Sequence, residues 1–171
     1  MDPNTDHPTR IELRLPDAQA TEALARRLAP LLRGGDTILL EGDIGAGKTH
    51  FARALIRTRL QAIGLDEDVP SPTFTIVQTY DAGDVEIWHA DLYRLSGADE
   101  IWELGLDDAF RTAICLVEWP DRLGPFRPES ALSLRFEALP DDTRRLVIRA
   151  DGGRALQILA IVSTEAQHGR A

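Results

Sequence analysis

The sequence predicts a single α/β domain in which a central β-sheet is flanked by helices. Three observations support this fold class. The apolar runs TILLE (37–41) and ICLVE (114–118) have the composition of strands buried in a sheet. Segments with the 3.6-residue spacing of amphipathic helices lie between the strand-like segments. The length of 171 residues fits one domain with one hydrophobic core.

The first half of the chain alternates between the two kinds of element. A strand with alternating apolar and polar residues is predicted over 11–15. A helix is predicted over 17–33, opened by Pro16-Asp17 and ended by Gly34-Gly35. The buried strand 37–41 follows, and a second helix covers 50–63 before it ends at Gly64. This order predicts that the loop between residues 41 and 50 connects a strand to a helix.

The second half is predicted to contain more strands than helices. Ser96 and Asp99 resemble a capping box that begins a helix over 98–104, which Gly105 ends. The turn LPDD (139–142) would make the last two strands antiparallel. The predicted strands cover residues 74–80, 85–90, 114–118, 130–137 and 144–150.

The domain boundaries follow from this pattern of elements. We expect residues 1–10 to form a flexible N-terminal tail because they are polar and lack periodicity. Residues 11–162 form the predicted domain, and we expect residues 163–171 to be a disordered C-terminal tail.

The composition limits the partners that the chain can bind directly. Its formal net charge is −9, so its surface would repel a nucleic-acid backbone. We therefore expect any RNA in this biology to be held by a partner protein. Cys115 is the only cysteine, so no intrachain disulfide can form, which fits a cytoplasmic protein. No signal-like N-terminus and no long apolar run indicate secretion or a membrane.

The segment GDIGAGKT (42–49) predicts a site for a nucleotide. It satisfies the pattern G-x-x-x-x-G-K-[ST], in which glycines let successive backbone N–H groups face an anion. The following helix adds the partial positive charge of its N-terminus. Lys48 would reach the β- and γ-phosphates, and Thr49 would offer its hydroxyl to Mg²⁺. The predicted phosphate-binding residues are Gly42, Asp43, Ile44, Gly45, Ala46, Gly47, Lys48 and Thr49.

Lys48 is the only lysine, since every other Lys or Arg position holds arginine. Lysine suits a tight backbone loop because its ammonium is a compact charge on a flexible stem, whereas the guanidinium is a planar fork. A guanine-specific N-K-x-D motif would need a second lysine, so the sequence favours adenine nucleotides over guanine nucleotides.

Two carboxylates follow strand-like segments, where ligands gather in α/β sheets. Asp91 follows 85–90 and Glu118 ends 114–118, so each is a candidate for holding Mg²⁺ or the attacking water. Asp91 alternatively caps a turn, and Glu118 alternatively is a solvated strand end. We interpret His89 as a hydrogen-bonded structural histidine rather than a ligand. The pair Arg144-Arg145 reads as solvated rather than as a phosphate clamp.

The segment SPTFT (71–75) carries hydroxyl side chains at the start of a predicted strand. Ser71 and Thr73 could sense a γ-phosphate, although a plain strand entry has the same composition. Pro72 favours extended backbone at Ser71. The chemistry of this segment leaves both readings open.

Several motifs together resemble the bacterial TsaE (YjeE) family of small ATPases, which serve threonylcarbamoyladenosine synthesis on tRNA. The resemblance covers residues 11–123 and implies a P-loop NTPase fold with a mixed sheet whose later strands are antiparallel. The motifs that carry it are GDIGAGKT (42–49), SPTFT (71–75), HADLYRL (89–95), ELGLDD (103–108) and ICLVEWPDRL (114–123).

The resemblance also implies roles for individual residues. ATP and Mg²⁺ would bind at the loop, with Thr49 and Glu118 near the metal and Asp91 needed for hydrolysis. The segment containing Ser71 and Thr73 would be switch-like, and Trp119 would lie close to the nucleotide. Adenine would lie near Asp17. His50, another nucleotide-contact candidate, stands where the family more often has a small hydroxyl residue.

Family members act on a TsaB–TsaD heterodimer, and TsaD modifies adenosine 37 of tRNAs that decode ANN codons. The resemblance therefore implies an ATPase that contacts tRNA only through partners and resets their complex by hydrolysis. We expect slow hydrolysis by the chain alone, because the sequence offers no convincing arginine finger. The alternatives are a P-loop small-molecule kinase and a nucleotide-dependent adaptor that does not hydrolyse ATP.

Overall fold

A computed structural model describes residues 9–168. Within them the chain forms a seven-stranded sheet flanked by helices. The strands are β1 Arg10–Leu15, β2 Thr37–Glu41, β3 Val77–Asp81, β4 Glu86–Asp91, β5 Ile114–Glu118, β6 Leu132–Ala138 and β7 Arg144–Ala150. The helices are α1 Ala18–Leu28, α2 Lys48–Gln61, α3 Ala98–Leu104, α4 Leu106–Thr112 and α5 Gly153–His168, with 3₁₀ segments at Ala29–Leu31 and Pro120–Phe126.

The sheet is mixed, as predicted, with strand order β1-β7-β6-β2-β5-β4-β3. β2 runs parallel to β5 and β6, and β5 runs parallel to β4. The pairs β1–β7, β6–β7 and β3–β4 are antiparallel. Because β2, β4 and β5 are parallel, their carboxyl ends lie at one edge of the sheet, where the glycine-rich loop, Asp91 and Glu118 meet.

The core occupies both faces of the sheet. Ile38 and Leu40 of β2 face a cluster that contains buried residues of α1, α2 and α5, whereas Leu39 faces a second cluster with α3 and α4. The central strand therefore needs apolar residues at consecutive positions, which explains the continuous run TILLE. No helix within residues 9–168 combines the length and the apolar character needed to cross a membrane.

Two predicted boundaries were wrong. The first helix ends at Leu28 and continues as a 3₁₀ turn, because Pro30 has no N–H to extend the α-helical hydrogen bonds. The third strand begins at Val77 rather than at residue 74. Ile76 has a φ of 70° and its N–H donates to Pro72 O at 2.7 Å, so a turn occupies the start of the predicted strand.

The predicted capping box is also wrong. Gly97 is the N-cap of α3 and provides no side-chain hydrogen bond. The Ser96 hydroxyl instead donates to Glu100 Oε1 at 2.8 Å. Gly105 ends α3 as predicted, with a φ of 79°, and it also precedes α4, a helix that the sequence analysis did not predict.

The C-terminal boundary lies later than predicted. We expected a disordered tail from residue 163, but α5 continues to His168 and buries Ala155, Ile158, Leu159 and Val162. These apolar residues recur at helical spacing and pack against the core. At the other end, Arg10 belongs to β1 rather than to a tail. Residues 1–8 and 169–171 of the predicted tails lie outside the described residues.

Candidate nucleotide site

The loop between β2 and α2 has the backbone that its glycines allow. Gly42, Gly45 and Gly47 have φ values of 139°, 79° and 116°, which other residues rarely adopt. A Cβ at Gly42 would also lie 2.5 Å from the carbonyl oxygen of Phe136 in β6. Gly42 is therefore required both for its conformation and for its close approach to the neighbouring strand.

Lys48 is buried inside this loop and has only 5% of its surface exposed. Its ammonium donates hydrogen bonds to Gly42 O and, at 3.1 Å, to Asp43 O. The Nζ atom also lies 3.9 Å from the centroid of the Trp119 ring, a cation–π contact. Burial lowers the pKa of Lys48, and the nearby carboxylates of Glu118 and Asp91 oppose that shift.

Thr49, Glu118 and His89 form a hydrogen-bonded chain behind the lysine. Thr49 donates its hydroxyl hydrogen to Glu118 Oε1 at 2.6 Å, and the other carboxylate oxygen lies 2.7 Å from His89 Nε2. His89 and Glu118 are both buried. Glu118 is therefore not the solvated strand end of the alternative reading. His89 is hydrogen-bonded, as predicted, and it holds the carboxylate that faces Thr49.

Asp91 lies beside Glu118, because the two are register partners at the ends of β4 and β5. Its Oδ1 accepts a hydrogen bond from Tyr93 N at 3.0 Å, which is the turn-capping interaction of the alternative reading. Asp91 also lines a cavity next to the loop. Capping the turn and facing the cavity are compatible because a carboxylate accepts several hydrogen bonds.

We call this space the front cavity; it has a volume of about 420 Å³. Tyr93 and Arg94 line it, although the sequence analysis singled out neither. The Tyr93 ring packs on Trp119 with centroids 4.9 Å apart, and Arg94 donates to Phe74 O at 2.6 Å. The motif HADLYRL was the sequence signal that could have identified them. The lining residues are Ile44, Gly45, Gly47, Lys48, Thr49, His50, Thr73, Asp91, Tyr93, Arg94, Glu118 and Trp119.

Outside the glycine-rich loop, two nucleotide-contact candidates are not among these lining residues. Asp17 is the N-cap of α1, where its Oδ1 accepts from Ala20 N at 2.8 Å. Ser71 bonds through its hydroxyl to that of Thr73 at 2.8 Å, so it adjoins the cavity only through Thr73. His50 lines the cavity, and its Nε2 lies 3.2 Å from Ala18 O.

A second cavity of about 780 Å³ also adjoins the loop, and we call it the rear cavity. Gly42, Asp43 and Ala46 line the rear cavity but not the front one, whereas Ile44 and Trp119 line both. Different residues of the loop therefore face the two spaces. Other residues around the rear cavity include Glu41, Asp121, Arg127, Arg135, Glu137 and Arg145.

The interpretation of Arg144-Arg145 as a solvated pair was wrong for one of its members. Arg144 donates from Nε to Ala46 O in the phosphate loop at 3.1 Å. Arg145 is exposed and pairs with Glu137 at 3.0 Å and Glu12 at 3.7 Å. The two side chains differ because neighbouring residues of a strand point to opposite faces.

The residues around the loop fit a metal that keeps few protein ligands. Within residues 9–168 no group of three or more His, Cys, Asp or Glu side chains could hold a metal ion by itself. The oxygen atoms available are the hydroxyl of Thr49 and the carboxylates of Glu118 and Asp91. Mg²⁺ prefers such oxygen ligands and usually combines one or two carboxylates with phosphate and water.

Comparison with known proteins identifies the family of the chain. A family model described as "Threonylcarbamoyl adenosine biosynthesis protein TsaE" matches residues 15–146. The chain belongs to the TsaE family. The match extends beyond residue 123, where the motif resemblance ends, and it includes β6 and the start of β7.

Relatives in this family cover most of the chain. The tRNA threonylcarbamoyladenosine biosynthesis protein TsaE of Rickettsia conorii is 39% identical over 75% of this chain and 71% of its own. The protein of the same name from Bacillus subtilis is 35% identical over 85% of this chain and 89% of its own. The crystal structure of Bacillus subtilis YdiB has a TM-score of 0.75 and 29% identity, over 92% of this chain and 96% of that one. The predicted P-loop NTPase fold is confirmed.

Proposed function

We propose that this TsaE-family chain is the Mg²⁺-dependent ATP-binding and ATP-hydrolysing subunit that acts on a TsaB–TsaD heterodimer in threonylcarbamoyladenosine modification of tRNA. The target would be adenosine 37 of tRNAs that decode ANN codons. The observation that carries the proposal is the 2.6 Å hydrogen bond between Thr49 and Glu118. It joins the hydroxyl of the glycine-rich loop to the carboxylate on a neighbouring parallel strand. A hydroxyl and a carboxylate in these two places hold Mg²⁺ beside the phosphates in P-loop enzymes.

The loop supports triphosphate binding through its backbone and its lysine. Glycines with positive φ allow successive N–H groups to face one anion, and α2 begins at Lys48 with N-terminal N–H groups that no helical carbonyl can pair. The Lys48 ammonium donates hydrogen bonds to two carbonyls of the loop that is proposed to bind the phosphates. Binding would exchange these carbonyl contacts for phosphate oxygens.

Thr49, Glu118 and Asp91 are the residues that would hold Mg²⁺. When bound, the metal would neutralise charge on the β- and γ-phosphates. His89 fixes one oxygen of Glu118 and leaves the other toward Thr49. Asp91, at the end of the adjacent strand, would also orient a water molecule or accept its proton. Asp91 therefore has a second proposed task that Glu118 does not share.

We propose slow hydrolysis by the chain alone and faster hydrolysis in the complex. The Arg94 guanidinium lines the front cavity but is bonded to the Phe74 carbonyl. A cation that completes the site in related enzymes can raise the rate by about 10³–10⁵. A partner that rearranges the segment around Phe74 would release this arginine.

The negative charge of the chain supports the proposal that its partners, rather than the chain itself, bind the tRNA. A formal net charge of −9 opposes direct binding of tRNA, so TsaB and TsaD would carry the substrate. With one cysteine, the chain needs no oxidising compartment, and we propose that it acts in the cytoplasm.

The proposal is tested by reconstituting the chain with TsaB, TsaD and an ANN-decoding tRNA. We expect several rounds of ATP hydrolysis and modified tRNA, both lost in Asp91→Asn. Asp84→Asn is the matched control, because Asp84 is 87% exposed and precedes the opposite end of β4. It should retain full activity.

Three results would contradict the proposal. Absence of ATP binding by the folded wild-type chain would show that its function does not involve ATP. Equal turnover by Asp91→Asn and wild type would remove the hydrolytic role and favour an adaptor. Rapid phosphoryl transfer to a metabolite in a screen of acceptors would identify a kinase instead.

A further inference from the structure

We infer that Arg144 is a positioning residue for the phosphate loop: it holds the Ala46–Gly47 peptide so that the Gly47 N–H faces the phosphate side. This inference rests on the proposed nucleotide-binding function and assigns a role to a residue that the sequence analysis interpreted as solvated. Arg144 begins β7, between Leu15 of β1 and Ala138 of β6. It reaches the loop from a distant part of the sequence.

The contacts of Arg144 all go to backbone carbonyls. Its Nε donates to Ala46 O at 3.1 Å, and its Nη1 donates to Asp142 O at 3.2 Å and Thr143 O at 3.3 Å. None of the ion pairs found within residues 9–168 includes Arg144. The turn carbonyls therefore orient the guanidinium, whose fork geometry then fixes the loop carbonyl.

Peptide planarity transmits this contact to the other side of the loop. The carbonyl of Ala46 and the N–H of Gly47 belong to one peptide, and the described residues contain no cis peptide. In a trans peptide these two groups point in opposite directions. With the Ala46 carbonyl directed toward Arg144, the Gly47 N–H points away from Arg144.

The lining of the front cavity agrees with this orientation. Gly47 lines the front cavity together with Lys48 and Thr49, and Arg144 does not line it. Gly47 also has a φ of 116°, so it can adopt peptide orientations that most residues cannot. Without Arg144 the peptide would be free to rotate, and its N–H would be less often available to a phosphate.

The experiment compares Arg144→Ala with Arg145→Ala. Both remove one positive charge from the same end of β7, but Arg145 pairs with Glu12 and Glu137 and, unlike Arg144, has no hydrogen bond to the loop among the described residues. Affinities for ATP and for inorganic triphosphate are measured by calorimetry, with Mg²⁺ and with a chelator. We expect Arg144→Ala to bind both ligands about tenfold more weakly. This factor is the low end of the affinity change expected from the loss of one charge-assisted hydrogen bond. Arg145→Ala should bind as the wild type does.

Two further measurements separate positioning from general destabilisation. In the reconstituted complex, Arg144→Ala should raise KM for ATP and leave kcat and the Mg²⁺ half-saturation unchanged, since it weakens binding uniformly. A merely unstable variant would show fewer binding sites and a lower kcat with normal KM. If Arg144→Ala does not fold, Arg144→Met keeps the aliphatic stem and removes only the donors.

The outcomes distinguish this inference from the proposed function. If the wild type binds neither ligand, the proposed function fails before the variants are compared. If the wild type binds and a folded Arg144 variant binds equally well, Arg144 has no positioning role and the proposed function stands. A loss for ATP but not for inorganic triphosphate would also overturn the inference, because it would locate the effect at the nucleoside.

Discussion

At the scale of single residues, Glu118 links Thr49 of the proposed metal site to a buried residue of the core. One of its oxygens accepts the Thr49 hydroxyl hydrogen, and the other is held by buried His89. Burying a carboxylate costs free energy unless it is hydrogen-bonded or paired. The hydrogen bonds with His89 and Thr49 offset this cost for Glu118. These two contacts fix the position of the carboxylate.

Glu118→Ala should chiefly weaken the Mg²⁺-dependent part of ATP binding. ATP affinity is measured over a Mg²⁺ titration and in chelator. We expect the gain from Mg²⁺ to shrink by about tenfold or more, while binding in chelator changes little. An unchanged Mg²⁺ dependence in the folded variant would remove Glu118 from the metal site.

Lys48→Arg tests whether shape as well as charge matters in the loop. The ammonium lies between Gly42 O and Asp43 O and against the Trp119 ring, an arrangement that suits a compact charge better than a planar guanidinium. We expect ATP affinity to fall by about ten- to hundredfold, equivalent to roughly 1.5–3 kcal/mol. Near-normal affinity in calorimetry, with an unchanged Tm, would contradict this account of the lysine.

At the scale of elements, the phosphate loop depends on the strand beside it. Gly42 approaches the backbone of β6 so closely that a Cβ would overlap Phe136 O, whereas a Cβ at Gly45 would meet nothing within 4 Å. Both glycines have positive φ. They therefore differ in steric contact with β6, although each needs a positive φ that glycine adopts most readily.

Gly42→Ala should destabilise the protein more than Gly45→Ala does. Each alanine costs about 1–2 kcal/mol for its left-handed backbone, and Gly42→Ala adds the collision with β6. For a chain of this size we expect its Tm to fall further by at least roughly 2–4 °C per added kcal/mol. Thermal unfolding of both variants measures the difference, and equal Tm values would show that the loop moves away from β6 at little cost.

At the scale of the whole molecule, α5 completes the core behind the antiparallel strands. It packs on β1, β6 and β7, and Arg154 on this helix donates to Asp36 Oδ2 at 3.1 Å. The helix therefore supports β7, the strand from which Arg144 reaches the phosphate loop. It lies beyond residue 146, where the family match ends.

Leu159→Ala should destabilise the whole domain, because Leu159 is fully buried in α5. Removal of a buried leucine side chain costs about 2–5 kcal/mol. Ile161→Ala is the control on the same helix, since Ile161 is 43% exposed and should cost less. Urea unfolding gives both free energies. Similar small losses for the two variants would show that α5 is not part of the cooperative unit.

Local signals were enough to predict much of the fold and part of the site. Nearby residues determine backbone conformation and much of burial. The sequence therefore predicted the glycine-rich loop, the position of Lys48 within it, and the buried strands β2 and β5. The start of β3 and the absence of capping by Ser96 were not predictable, because a turn at Ile76 and a hydrogen bond to Glu100 overrode the local pattern. Helix α4 was missed although Gly105 marks its beginning.

The sequence by itself determined that a phosphate loop connects a buried strand to a helix, and which acids end the neighbouring strands. Only the tertiary structure decided which of these groups touch. Thr49 meets Glu118 across 69 positions, and Arg144 meets Ala46 across 98. The physical reason is that strand order and register bring distant residues together, and no local pattern of side chains encodes that pairing.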